Sequence, residues 1–133
     1  MKKNRRLASA KELSVLYSVD RGVVDAQIRR HGVPKRGERG CRLYDVDEVA
    51  EAFLGRDGME RLRRAGEGCR LLSRQQSAAV LAVCPKTFDD LRKQDAFPEP
   101  VNVVQGGRTL RWLDTDLEAY ALGVRERAYA QAA

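Results

Sequence analysis

Two clusters of polar residues, anchored on Asp25 and Asp89 and therefore 64 positions apart, hold the side chains of this chain best suited to recognising a ligand. Arg21, Asp25, Gln27, Arg29 and Arg30 form the first; Lys86, Thr87, Asp89, Arg92 and Lys93 form the second. On a helix lying in the major groove of DNA, Arg pairs with guanine, Gln with adenine, and Asp accepts from cytosine. Each good pair contributes about 1–3 kcal/mol of discrimination between bases. A further set of cations stands among glycines, in stretches with the composition of hairpin tips: Lys35, Arg36, Arg39 and Arg42, then Arg108 and Arg111. Cations so placed would lie over phosphates or in a minor groove. Asp89 and Asp90 work against this in the second cluster, because adjacent carboxylates repel phosphate.

Catalysis has no comparable support. No Gly-rich phosphate loop joins a strand to a helix, and His31 is the sole histidine. Cys41, Cys69 and Cys84 match no zinc spacing and, being odd in number, suggest reduced thiols and not a disulfide framework. The acidic pairs Asp45/Asp47 and Asp114/Asp116 fall where helices begin, where exposed amides and the helix dipole stabilise carboxylates. We expect a protein that binds and does not catalyse, with no metal and no cofactor.

The elements that must position these clusters occur twice. Residues 7–54 and 71–122 pass through one order of signals: a capping box (Ser9-x-x-Glu12; Ser73-x-x-Gln76), a short apolar helix, a turn, a second short helix ending before Pro34 or Pro98, a Gly- and Arg-bearing stretch that closes on Tyr44 or Trp112, and an amphipathic helix with an acidic start. Ser9/Ser73, Val19/Val83, Asp25/Asp89 and Pro34/Pro98 are 64 apart, whereas Tyr44/Trp112, Leu54/Leu122 and Gly55/Gly123 are 68 apart. The four extra residues of the second copy belong in its hairpin, where insertion costs least.

Inward faces follow from helical spacing: Leu13, Leu16 and Tyr17, then Val24 and Ile28, then Val49, Phe53 and Leu54 in the first copy. In the second copy the corresponding sets are Ala78, Ala79, Val80 and Leu81, then Phe88 and Leu91, then Leu117, Tyr120, Ala121 and Val124. Gly32 and Pro34 end the second helix, with His31 among its terminal carbonyls, and Asp45-x-x-Glu48 forms another capping box. Gly55 and Gly58 interrupt the third helix before 59–65, where Leu62 is the main apolar contact. Gly66-Glu67-Gly68 has linker composition. In the second copy Val101–Val104 and Thr109–Leu113 form a hairpin around a Gly106-Gly107 tip.

The fold class expected is mainly α with short β-hairpin wings (α+β), in two tandem winged helix-turn-helix domains at 1–66, with a basic N-terminal arm, and 67–133. Units of about 60 residues bury only about 60% of their unfolded surface, so each needs a neighbour: the other unit, a partner chain or DNA. The chain of 133 residues carries a formal net charge of +6. Its first 66 residues hold 16 Lys+Arg against 10 Asp+Glu, and the remainder 9 against 9, so the surplus belongs to the first copy. That asymmetry points to a polyanion engaged mainly by the first half. With no apolar run of membrane-spanning length and no apolar stretch behind the basic start, the expected location is the cytoplasm.

The second copy, in Leu71–Phe88 with Phe97-Pro98-Glu99-Pro100-Val101 and Arg108-Thr109-Leu110-Arg111-Trp112, resembles the MerR-like winged-helix domain of AlpA-type regulators and phage excisionases. The first copy resembles the same superfamily less closely. Its Val33-Pro34, Leu43-Tyr44 and Asp47-Glu48-Val49 are also similar to the DNA-binding domain of lambdoid small terminase subunits. The resemblance implies that the second helix of each unit enters the major groove while the wing touches the backbone or the flanking minor groove. Excisionases usually have one such domain, and the long dimerising helix and effector region of MerR activators do not fit after Val124, which disfavours a small-molecule sensor.

Three roles follow as expectations. The first is a sequence-specific double-stranded DNA-binding protein of phage or mobile-element type, an architectural excision factor or a transcriptional regulator, whose partners would be a recombinase or RNA polymerase. The second is a packaging-recognition subunit, which would form a homo-oligomer and recruit a terminase large subunit. The third is a divided molecule in which the first domain binds DNA and the second docks a protein.

Overall fold

The computed structural model describes residues 6–38, 41–66, 68–104 and 108–132, giving the backbone alone from 125 onward. The chain runs β1 (Leu7–Ser9), α1 (Ala10–Tyr17), α2 (Arg21–His31), β2 (Leu43–Asp45), α3 (Val46–Ala65), β3 (Leu71–Leu72), α4 (Arg74–Val80), α5 (Pro85–Leu91), β4 (Val101–Asn102), β5 (Leu110–Leu113) and α6 (Asp114–Ala132). It is mainly helical with small antiparallel strand pairings, an α+β arrangement.

Both halves repeat their backbone interactions at the sequence offsets. Ser9 Oγ accepts from the Glu12 amide at 3.2 Å while Glu12 accepts from the Ser9 amide at 3.1 Å, and Ser73 and Gln76 reproduce the exchange at 3.2 and 2.9 Å. Each first helix stops because one residue turns left-handed, Ser18 at φ 53° and Ala82 at φ 57°, the two non-glycine residues with positive φ among those described. The amides of Val19 and Val83 then donate back to the carbonyls of Ser14 and Ala78, closing the turn that starts the next helix. Gly32, at φ 63°, ends α2 in the way its sequence position suggests.

The short strands before α1 and α4 were not expected. Ala8 pairs with Tyr44, and Leu72 with Trp112, so each returning strand is held by the strand that opens its own half. In the first half this replaces the expected hairpin. Among the described residues of Lys35–Arg42 there is no first strand; the Arg36 amide donates to the Leu43 carbonyl at 2.8 Å and the Cys41 amide to the Glu38 carbonyl at 2.9 Å. The second half does form a hairpin, with Val101 opposite Arg111 and Asn102 opposite Leu110. The Asn102 side chain accepts from the amides of Val104 and Thr109, both at 3.2 Å, fixing the base of a tip whose Gly106 and Gly107 lie outside the described residues.

One hydrophobic cluster joins Leu13, Leu16, Tyr17, Val24, Ile28, Val49 and Phe53 to Met59 and Leu62, and continues without interruption into Cys69, Leu71, Val101, Val103 and Leu113 of the second half. A smaller aromatic cluster, Phe88, Phe97, Trp112 and Leu117, belongs to the second half alone. Phe88 meets the edges of Phe97 and Trp112 at 5.4 and 4.9 Å. The halves therefore pack on each other, as the size argument requires. Ala79 and Val80 depart from expectation: Ser77 and Ala78 face inward and both later residues are exposed.

Gly55 and Gly123 are equivalent in sequence and opposite in conformation. Gly55 adopts φ 77° and kinks α3 so sharply that a Cβ on Gly58 would lie 2.5 Å from Leu54 Cβ. Gly58 thus allows close approach and does not interrupt the helix, which carries Met59 and Leu62 down onto the shared core. In the second half Glu126 stands where the first has Gly58. There α6 passes through Gly123 unbroken and leaves Leu122 57% exposed. Gly58→Ala is expected to lower unfolding stability by about 1–3 kcal/mol through overpacking. Gly22→Ala, on α2 with nothing near the added methyl, should raise it by about 0.5–1 kcal/mol. Urea titration of both variants checks the contrast.

Candidate nucleic-acid interface

In the first half the candidate helix, α2, is 11 residues long and about 16 Å from end to end. Val24 and Ile28 anchor it to the core, which turns Arg21, Arg29 and Arg30 to solvent and leaves Asp25 half-buried. Arg21 and Arg29 are in no ion pair among the described residues, and the same holds for the exposed Lys35 and Arg42 of the following loop. Arg39 lies outside the described residues. These cations share one short stretch of chain because α2 ends directly into the Gly-bearing loop.

Gln27 is a correction. It is 8% exposed, one residue before Ile28 on the inward side, and its Oε1 lies 3.2 Å from His31 Nε2. A side chain so enclosed supports the end of α2 and does not offer its amide to a base. Arg36 is another: its Nε and Nη2 hold Glu48 in a bidentate pair at 2.8 and 3.0 Å, which raises the guanidinium pKa further. At the start of α3 the Asp45 side chain is the cap, accepting from the amides of Asp47 and Glu48.

The second half is chemically different at equivalent places. Its candidate helix, α5, has seven residues, only two turns. Pro85 starts it at the position where a missing amide costs nothing, and Lys86 and Thr87 are exposed, with Thr87 Oγ1 3.1 Å from Cys84 Sγ. That contact holds the Cys84 thiol below its ordinary pKa. Asp89 is engaged by Arg74 at 2.9 and 2.7 Å, and the guanidinium holds its carboxyl below the usual carboxylate range. Lys93 pairs with Asp90 at 3.7 Å, and Arg92 lies 4.7 Å over the Trp112 ring. Among the cations proposed on α5, only Lys86 is outside these partnerships.

The second hairpin is also turned to another use. Val101 and Val103 are buried in the shared core, and Arg111 reaches the first half, donating from Nε to the carbonyls of Tyr17 and Ser18, both at 3.1 Å, and from Nη2 to Ser18 at 2.8 Å. Arg111 is thus withdrawn from any phosphate, and burial without a counter-ion lowers its pKa. Arg108, nearer the tip, remains exposed. No cluster of three metal-ligating side chains occurs among the described residues, and no helix is long and apolar enough to cross a membrane. Comparison with family models, curated proteins and solved structures finds no match.

The Arg74–Asp89 pair gives a pH signature. A carboxyl whose folded pKa is depressed contributes stability above its ordinary value of 3.8 and loses that contribution as pH falls through the folded value. Thermal unfolding of the wild type and of Asp89→Asn is expected to differ at pH 6 and to converge as the medium is acidified below pH 3.8. A gap that persists at low pH would assign the effect to packing.

Proposed function

We propose that this chain is a sequence-specific double-stranded DNA-binding protein of phage or mobile-element type, built from two winged helix-turn-helix units of MerR-like design, acting as an excisionase-like architectural factor or a transcriptional regulator. The observation that carries the reading is the contrast between the halves. Arg21, Arg29, Lys35 and Arg42 stand exposed on α2 and its loop with no ion pair among the described residues, whereas Arg92 and Lys93 at the end of α5 are engaged by Asp89 and Asp90 and only Lys86 stays outside such pairs. Unpaired cations on a helix anchored by its opposite face are what electrostatic capture of a duplex needs, since released counterions drive the association. Support for the fold assignment comes from the left-handed turns at Ser18 and Ala82 and from the repeated strand register.

In this reading Arg21 and Asp25, at the start of α2, face base edges, and Arg29, Arg30, Lys35 and Arg42 hold the backbone. The second half contributes Lys86, Thr87 and Arg108 at its margin. Its neutralised surface favours the divided reading, in which that half also docks a protein such as a recombinase or RNA polymerase.

Gel-shift titration across salt concentration tests the proposal. The log–log slope should fall by about 0.9 for each phosphate contact removed, so Arg29→Ala and Lys35→Ala should each flatten it while Arg36→Ala leaves it unchanged. Absence of a shift at low salt, or a slope indifferent to Arg29 and Lys35, would defeat the reading.

A further inference from the structure

The carbonyls that close the first helix-turn-helix are held by a side chain from the other half of the molecule. Ser18 is left-handed at φ 53°, a conformation that an L-residue adopts only under constraint, and beyond it the carbonyls of Tyr17 and Ser18 have no helical partner. Arg111 supplies three charge-assisted hydrogen bonds to those two oxygens from 93 and 94 residues away, while its Nη1 donates to its own Leu110 carbonyl at 2.7 Å. The contact is reinforced by Ser18 Oγ, which donates to the Leu71 carbonyl at 2.7 Å. Val19 and Asp20 follow at once, and the Asp20 carbonyl accepts from Val23 and Val24 in the first turn of α2. The direction in which α2 leaves α1 is therefore fixed at its origin by β5.

The equivalent turn in the second half has no such clamp. Ala82 repeats the backbone of Ser18, yet no side chain among the described residues donates to the carbonyls of Leu81 or Ala82, and the first half has Leu43 where the second has Arg111. Among the described residues the clamp thus serves the half whose second helix carries the exposed Arg21 and Arg29.

We infer that Arg111 is a positioning residue for DNA recognition: it contacts no nucleotide and holds the α1–α2 turn so that Arg21 and Asp25 meet base edges in register. This rests on duplex binding by α2. A cation that touched phosphate would contribute to affinity on every sequence and to the salt slope. One that orients a base-reading helix contributes to the ratio of specific to non-specific binding and leaves the slope alone.

The experiment uses the full chain and a duplex selected by the wild type from a random pool, with a scrambled duplex as competitor. Arg111→Met should reduce the specific to non-specific ratio at least about fivefold, the loss of one base-pair discrimination, with a salt slope equal to that of the wild type. In the free variant, amide exchange at Val19, Val23 and Val24 should accelerate. Arg111→Lys, which keeps the charge but cannot span two carbonyls, should resemble Met, and it serves if the Met variant does not fold. Arg108→Ala is the contrast, lowering the slope without changing the ratio. A ratio unchanged in Arg111→Met, or a slope reduced by about 0.9, overturns the inference while duplex binding stands. A wild type that selects no duplex defeats the reading beneath it as well.

Discussion

Two units of some 60 residues cannot each enclose a sufficient core, and the shape of this molecule follows from that constraint. Leu71, Val101, Val103 and Leu113 enter the cluster of the first half instead of completing a separate one. Once they do, the second hairpin is committed to the junction, and Arg111 lands beside the carbonyls that end α1. The kinked end of α3 fills the same junction, where Arg61 donates to the Glu99 carbonyl at 2.8 Å and meets Asp116 at 3.2 Å. Two copies of one pattern thus become unequal parts of a single packed body.

The inequality extends to charge. The first half keeps cations on a long, anchored helix and a glycine-bearing loop; the second uses Asp89, Asp90 and Trp112 to engage Arg74, Arg92 and Lys93. Surface pairs of this kind add little stability, so their consequence is mainly electrostatic: they remove positive potential from α5. In the proposed reading, a duplex is drawn mainly to the first half. A protein partner could approach the second without competing against that field.

Much of this was legible in the sequence, because it depends on local signals. The offsets of 64 and 68 recur in capping boxes, turns and strand register, and the inward residues Leu13, Tyr17, Val24, Phe53, Phe88 and Leu117 are all fully buried. What escaped depends on contacts between distant residues. Arg36 and Glu48, Arg74 and Asp89, and Arg111 with Tyr17 and Ser18 are joined across 12, 15 and more than 90 positions, beyond any helical period. Gln27 was misplaced because a half-polar helix position beside Ile28 can face either way, and the partner that draws it inward is His31. The strands β1 and β3 were hidden by brevity, since two or three residues carry no alternation.

The central claim, that the first half grips the duplex and the second braces it, can be tested with thiols already present. Cys41 is exposed in the loop after α2, Cys84 is exposed at the start of α5, and Cys69 is buried, its thiol pushed up to about 11 by burial and by Asp114. Alkylation at neutral pH, read residue by residue by mass spectrometry, should label Cys41 and Cys84 in the free protein and spare Cys69. Added duplex should slow the labelling of Cys41 far more than that of Cys84, which lies at the margin of the proposed contact. Protection of Cys84 with Cys41 still reactive, or equal labelling of both with and without DNA, would contradict the account.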